Sequence, residues 1–355
     1  MRLETYGYDA RIESSRRESD LQEHGIGRVV AEHRERYVVA TESGDIEAEV
    51  SGNLRNRATT REDFPAVGDW VALDEHGSGV AIVHGILPRS STISRQAVGS
   101  FGEIQIIATN IDHALLVQAL DRDFSLARLE RYLTLCHCSG VEPIVVLTKA
   151  DLVDPEELAA KMEGIAERIG GLPVVAVSDR LPQGYAALEA TIVPGRTYCL
   201  LGSSGVGKST LLNRLCGREA MRTDTISDST GKGRHVTSHR ALVVLESGAL
   251  LVDNPGMREV GIADEGSGLE TTFDRILSFA EACRYRDCTH TAETGCAVLD
   301  AVRQGDISPG AYESWRKMRK EKEHFESTVA QRRKKDRAFG KMLDTYKRDM
   351  RRNGL

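Results

Sequence analysis

Long hydrophobic runs are missing from this 355-residue chain, which nowhere approaches the ~18 consecutive apolar residues that a membrane-spanning helix requires. Met1-Arg2-Leu3-Glu4 opens no secretion signal of basic residues followed by an apolar run. Membrane and secreted readings are therefore poor, and the expectation is a cytoplasmic protein with no membrane partner. Compositional extremes are lacking too: hydrophobic residues at 40% and charged residues at 28% exclude a wholly disordered or fibrous chain. No internal repeat is visible. Cysteines number only seven, an odd count, and three of them fall close together at 283, 288 and 296 with a histidine among them, which points to metal rather than to disulfides.

What is present is enough chain for two or three domains. Net charge is −6, unevenly spread. Residues 311–355 carry 15 Lys and Arg against 7 Asp and Glu, leaving 32 against 46 for the rest. An acidic body with a basic tail suggests a polyanionic partner reached from the C-terminus, although a solvated basic helix has the same composition.

Residues 1–24 are polar, show no apolar periodicity, and are expected to form a flexible tail. From 25 to 100 short strands alternate with turn signals: Gly27–Ala31, Tyr37–Thr41, Ile46–Val50, Val67–Leu73 and Gly79–Val83. Five strands with glycines at bends suit a small closed β-barrel of the OB-fold type, with an SH3-like barrel as competitor. A Ser/Arg/Gly-rich linker over 90–103 follows. Residues 101–262 then alternate strand and helix, which predicts a doubly wound, largely parallel α/β sheet. Residues 263–355 read as helical and cysteine-bearing.

Gly202-Ser203-Ser204-Gly205-Val206-Gly207-Lys208-Ser209-Thr210 completes the pattern G-x-x-x-x-G-K-S between a predicted strand and a helix. Glycines let successive amides face phosphate oxygens, the helix N-terminus adds positive potential, Lys208 reaches the β- and γ-phosphates, and Ser209 holds Mg²⁺. Thr148-Lys149-Ala-Asp151, at the end of another strand, resembles the N/T-K-x-D element in which the carboxylate reads guanine and the lysine stem covers the ring; an ordinary strand-to-helix turn is the rival. Ser178, after the next strand, stands where a backbone amide can meet the guanine O6. Asp253-Asn-Pro-Gly256 matches D-x-x-G, with Asp253 on Mg²⁺ and the Gly256 amide at the γ-phosphate. Between these lies Gly231–Thr237, a basic stretch suited to a switch in which Thr237 caps Mg²⁺. Met257 occupies the place where many GTPases carry a water-orienting glutamine, so intrinsic turnover is expected to be slow; His235 is the candidate replacement, with an RNA-contacting role as its rival.

The order of these elements is unusual, because the guanine-reading motifs precede the phosphate loop. The sheet must be circularly permuted. In Ala119-Leu-Asp-Arg-Asp-Phe124, Leu129-Glu-Arg-Tyr132, Thr148–Asp151, Gly202–Thr210, Gly233-Arg-His235 and Asp253–Glu259, over about residues 25–310, the chain resembles the RsgA/YjeQ family of ribosome biogenesis GTPases. That resemblance implies a monomer that binds GTP and GDP, grips the small ribosomal subunit and its rRNA, and times its release by hydrolysis. It also implies a catalytic role for His235. A small-molecule ATPase or kinase, or a non-catalytic RNA-binding module, remains the alternative.

Cys283-x4-Cys288-x-His290-x5-Cys296 offers three thiolates and one imidazole, the ligand set of a closed structural Zn²⁺ site, and the resemblance assigns it the same. Cys136, Cys138, Cys199 and Cys216 read as core thiols. Beyond the cluster, Tyr312, Trp315, Phe325 and Val329 recur at helical spacing, leaving Arg332-Arg-Lys-Lys335 for RNA phosphates.

Overall fold

The computed structural model describes residues 2–33, 36–75, 79–96, 104–121, 123–180, 182–217, 241–253 and 267–327. Five strands, β1 (Gly25–His33), β2 (Arg36–Ala40), β3 (Asp45–Val50), β4 (Trp70–Glu75) and β5 (Val80–Ile86), pair in the order β1-β2-β3-β5-β4. The barrel closes because the first half of β1 also pairs with β4, from Gly25 opposite Leu73 to Arg28 opposite Trp70. A bulge between Val29 and Ala31 bends β1 at that point, as an extra residue in one strand does. Gly27 sits at the tightest approach: a Cβ there would lie 2.5 Å from Val39 Cγ1. Alternating residues of these strands, among them Val29, Val39, Val71 and Val83, fill the interior.

The N-terminal residues depart from the tail expected of them. Arg2–Thr5 and Ala10–Glu18 are helical, the second capped by the Asp9 carboxylate, and Leu3 is buried beside Trp70 and Leu87. Arg2 donates to Thr41 O at 2.6 Å and to Asp45 at 2.6 Å. Sparse apolar residues give no periodicity to read, yet Leu3, with Tyr6, Tyr8 and Ile12 packed around it, and Arg2 fasten the segment to the barrel. The linker expected at 90–103 also contains structure: β6 (Thr92–Gln96) and β7 (Ile104–Thr109) form an antiparallel hairpin with Ile93 and Ile107 buried. A domain division at residue 100 falls inside that hairpin.

Six further strands follow: β8 (His113–Ala119), β9 (Glu142–Thr148), β10 (Val174–Ala176), β11 (Thr197–Leu201), β12 (Ala241–Val244) and β13 (Leu250–Asp253). Their order is β10-β9-β8-β11-β13-β12, parallel except for β12. Both faces are covered, which is why β8 and β11 are apolar at nearly every position. Helices Leu126–Ser139 and Pro155–Ile169 pack on the side that takes Leu116, Val145 and Leu201. Helices Pro182–Thr191 and Lys208–Cys216 cover Leu115, Val146 and Leu200 on the other. β11, which feeds the phosphate loop, lies at the centre between β8 and β13, although three sheet strands precede it in the chain. The permutation inferred from motif order is thus the topology of the sheet.

Barrel and sheet meet where Ala31 of β1 pairs with Ala241 of β12. Arg28 fastens the same junction. Its guanidinium is 2% exposed and donates to Gly68 O, Tyr6 O, Asn110 O and Thr197 Oγ1 at 2.6–3.1 Å. Burial lowers its pKa to about 10, far enough above neutrality to keep the charge. Arg28→Met preserves the stem but removes the donor from four acceptors, of which Gly68 O keeps its bond from Asn110, and is expected to destabilise the protein by about 2–4 kcal/mol. Thermal unfolding reads this as a lowered midpoint; an unchanged midpoint would show that the junction does not depend on these bonds.

The C-terminal part comprises helices Gly268–Thr272, Asp274–Ala280, Ala297–Gln304 and a long helix over 309–327 around a core of Leu269, Ile276, Val298, Trp315 and Met318. It docks on helix Leu126–Ser139. Arg131 meets Glu321 through both its terminal nitrogens at 2.5 and 2.8 Å, and Gly268 lies so close to Cys138 that a Cβ would stand 2.3 Å from its sulfur. Glu130, buried beneath this contact, is raised above the ordinary carboxylate range by desolvation while Arg168 opposes the shift from 2.5 and 2.9 Å. Among the described residues, no helix is long and apolar enough to cross a membrane. The basic run Arg332–Lys335 and Val329 lie outside the described residues.

Candidate nucleotide site and metal centre

The phosphate loop joins β11 to helix Lys208–Cys216. Its shape depends on glycine at two places. A Cβ on Gly202 would lie 2.6 Å from the Val117 carbonyl, and Gly207 takes φ +94° as the residue that caps the helix. Ser204, Gly205, Ser209 and Thr210 are exposed, so the loop presents its amides and the first helical turn to solvent. Lys208 folds back over the loop, where its ammonium donates to Gly202 O at 2.7 Å and Ser203 O at 2.6 Å. Burial lowers its pKa, with Asp253 acting the other way; burial raises the Asp253 carboxyl, with Lys208 opposing. The two charges thus face each other across the site, at the ends of adjacent elements from β11 and β13.

Thr148 ties the end of β9 to the phosphate loop. Its hydroxyl donates to Val206 O at 2.5 Å and lies 3.3 Å from Gln118 O. The bond needs only a short side-chain donor, so the threonine hydroxyl serves where asparagine is commoner. Lys149 follows in the left-handed region at φ 57°, unusual for a side chain of this size. Asp151 accepts the Ser178 hydroxyl at 2.5 Å, and this bond holds its carboxyl below the ordinary range. Arg180 stands 3.6 Å from the other oxygen. Ser178 is itself buried, accepting from Arg180 N at 3.1 Å. Asp179 accepts from Tyr185 at 3.0 Å, and burial together with this bond pushes the phenol up to about 12.

The structure therefore brings Thr148, Lys149, Asp151, Ser178, Gly202–Thr210 and Asp253 to the same end of one parallel sheet, where strand ends open a crevice. The set fits a Mg²⁺-nucleotide: an exposed first-turn hydroxyl at Ser209, and a half-buried carboxylate at Asp253 opposite a half-buried ammonium at Lys208. His235, Thr237, Gly256 and Met257 lie outside the described residues. Sequence reading missed three polar groups that surround the loop. Gln118, fully buried, clamps Ser125 through both its amide atoms at 3.1 Å. Asp121 pairs with Lys149 at 2.7 Å, and Arg128 reaches Ser203 Oγ at 3.2 Å while paired to Asp123. These residues come from the end of β8, the segment after it and the first turn of helix Leu126–Ser139, and sheet order places them beside motifs tens of residues away.

At the second centre, the ligand atoms of Cys283, Cys288, His290 and Cys296 all lie within 4.8 Å of one another. Cys283 Sγ and Cys296 Sγ are 3.9 Å apart, and each is 3.5 Å from His290 Nδ1. Tetrahedral Zn²⁺ with bonds of about 2.3 Å to sulfur and about 2.0–2.1 Å to nitrogen sets edges of about 3.8 and about 3.5 Å, so the donors fit that ion. Burial acts to raise the Cys283 thiol, but amides of Val298 and Ala297 at the start of a helix leave it below its ordinary value. His290 holds a left-handed backbone, φ 60°, secured by a bond from Tyr312 to its carbonyl at 2.5 Å.

Comparison with known proteins follows the same lines. The sequence model of the RsgA GTPase family matches residues 86–263. A model of ABC transporter proteins matches 185–342, a span that takes in the phosphate loop, a motif common to many nucleotide-binding families. "Small ribosomal subunit biogenesis GTPase RsgA" of Opitutus terrae is 43% identical, the alignment covering 83% of this chain and 82% of the relative. "Small ribosomal subunit biogenesis GTPase RsgA 1" of Bacteroides thetaiotaomicron is 36% identical over 98% of this chain and 97% of its own. Among solved structures, YjeQ from Thermotoga maritima superposes with a TM-score of 0.62 at 26% identity, over 84% of this chain and 98% of that one. YloQ, described as a circularly permuted GTPase, gives 0.60 at 25% identity, over 85% and 96%.

Proposed function

Because this chain belongs to the RsgA GTPase family, we propose that it binds the small ribosomal subunit as a cytoplasmic monomer and that GTP hydrolysis times its release during late assembly or quality control. The observation that carries the reading is the convergence, at one end of a permuted sheet, of a complete phosphate loop with Asp151 and Ser178, joined through Thr148 and Val206. In this reading Asp151 reads guanine and the Lys149 stem covers it. Lys208 neutralises the β- and γ-phosphates, and Ser209, Asp253 and Thr237 hold Mg²⁺, which lowers the barrier by neutralising charge on the transferring phosphoryl group. His235 orients the attacking water. The barrel, the zinc module and the basic tail hold rRNA through local patches, since the body as a whole is acidic.

The test is GTP turnover measured alone and with purified subunits. Free protein is expected to be slow, small subunits to stimulate it by ten-fold or more, and His235→Ala to remove most of that rise while GTP affinity stays. Equal stimulation by large subunits would overturn the partner assignment, and full stimulation of His235→Ala the catalytic one.

A further inference from the structure

Lys149 and Asp121 come from adjacent parallel strands. Ala119 and Thr148 are paired in register at the ends of β8 and β9, so the two side chains emerge from neighbouring strand ends on the nucleotide side. The Lys149 ammonium lies 2.7 Å from Asp121 Oδ2, and the other carboxylate oxygen accepts from Asp123 N at 2.9 Å. The segment that carries Asp121 is held at both ends, by Leu120 N on Thr148 O at 2.9 Å and by the Gln118 clamp on Ser125. This is a built arrangement rather than a chance surface pair. Both side chains are about one-third exposed, and a second carboxylate, Asp151, follows two residues after the lysine in the chain.

We propose that Asp121 is a positioning residue of the base site: it draws the Lys149 ammonium to one side, so that the lysine's alkyl stem lies flat as a wall for the purine. The proposal rests on the guanine-site reading above. Two facts favour it over a simple surface bridge. Lys149 holds a left-handed backbone that a lysine avoids unless its surroundings fix it, and the same conformation sets the direction in which its stem leaves the strand. Asp151 is already engaged by the Ser178 hydroxyl and stands 3.6 Å from Arg180, so Asp121 and not Asp151 is the carboxylate that takes up the Lys149 ammonium. The purine's face, not its edge, meets the stem. Asp121 therefore contributes affinity common to guanosine, inosine and xanthosine nucleotides, whereas Asp151 chooses among them.

Equilibrium binding of the three nucleoside diphosphates to the full chain tests this. Asp121→Asn, which keeps shape and removes charge, is expected to raise all three Kd values together by about two- to five-fold, and in turnover the loss falls on KM rather than kcat. Asp121→Glu is expected to restore part of the affinity. In a Lys149→Met background, which keeps a stem without an ammonium, Asp121→Asn is expected to add nothing further. An unchanged Kd in Asp121→Asn, or an equal loss in the Lys149→Met background, overturns the proposal. Should Asp121→Asn not fold, the Asp121→Glu affinities decide, since values no better than the Lys149→Met variant's also overturn it. Failure of Asp151→Asn to shift preference from guanosine to xanthosine nucleotides would instead sink the base-site reading, and is read independently.

Discussion

Lys208→Ala is expected to leave a folded protein that scarcely turns over GTP. The ammonium is held by two loop carbonyls at 2.6–2.7 Å and among the described residues faces the charge of Asp253, so it is a partly desolvated cation at the loop that anions enter. Such a group needs no reorganisation when charge develops on the phosphoryl oxygens. Removing one preorganised donor of this kind lowers kcat by ~10²–10³-fold, and loss of a full charge next to Mg²⁺ belongs at the upper end. Folding is expected to survive, because the loop remains tied by Thr148 to Val206 and shaped by Gly202 and Gly207. Single-turnover hydrolysis at saturating GTP is the measurement. A rate within a factor of about three of the parent would remove Lys208 from the phosphate site.

Removal of the metal is the second large effect. Cys296 is 1% exposed and lies in the same core as Val298, Trp315 and Met318, so Cys296→Ser breaks a ligand set and a core together. Purified parent protein is expected to carry about one zinc per chain. The variant, or the parent after chelation, is expected to lose zinc and become protease-sensitive across 283–296, because structural zinc in small modules supplies ~10–16 kcal/mol of apparent folding free energy. Cys288→Ser, at a less buried ligand, separates the effects: it weakens the ion without opening the core. Nucleotide affinity is expected to persist, since no bond of the phosphate loop reaches the cluster among the described residues. Protein that holds no metal after mild purification, or variants as protease-resistant as the parent, would count against a structural zinc.

Much of this was legible before any coordinates. Helix Pro155–Ile169 has proline and acids in its first turn and an apolar stripe, and it begins and ends where that pattern does. The barrel strands alternate, and the cysteine cluster announces itself by spacing. What escaped were features whose cause is remote. Thr92–Gln96 looks like linker because serine and arginine dominate around it, yet it folds as a strand once Ile93 finds a core built by residues distant in the chain. The helical N-terminal segment is fastened by Leu3 and Arg2, two residues that carry no period.

The sequence by itself determined which motifs are present: a phosphate loop, an N/T-K-x-D element, a D-x-x-G element and a Cys3His cluster, in an order that only a permuted sheet can accommodate. These are local patterns, and backbone preference with side-chain type is enough to specify them. Tertiary structure alone decided which of the remaining polar residues serve them. Asp121 is one of many acids in the chain until β8 and β9 lie side by side, and Arg28 is one of many arginines until barrel and sheet close around it. Burial and strand register create those partnerships, because a charge selects a partner only after water has been removed from around it and geometry has left one acceptor within reach.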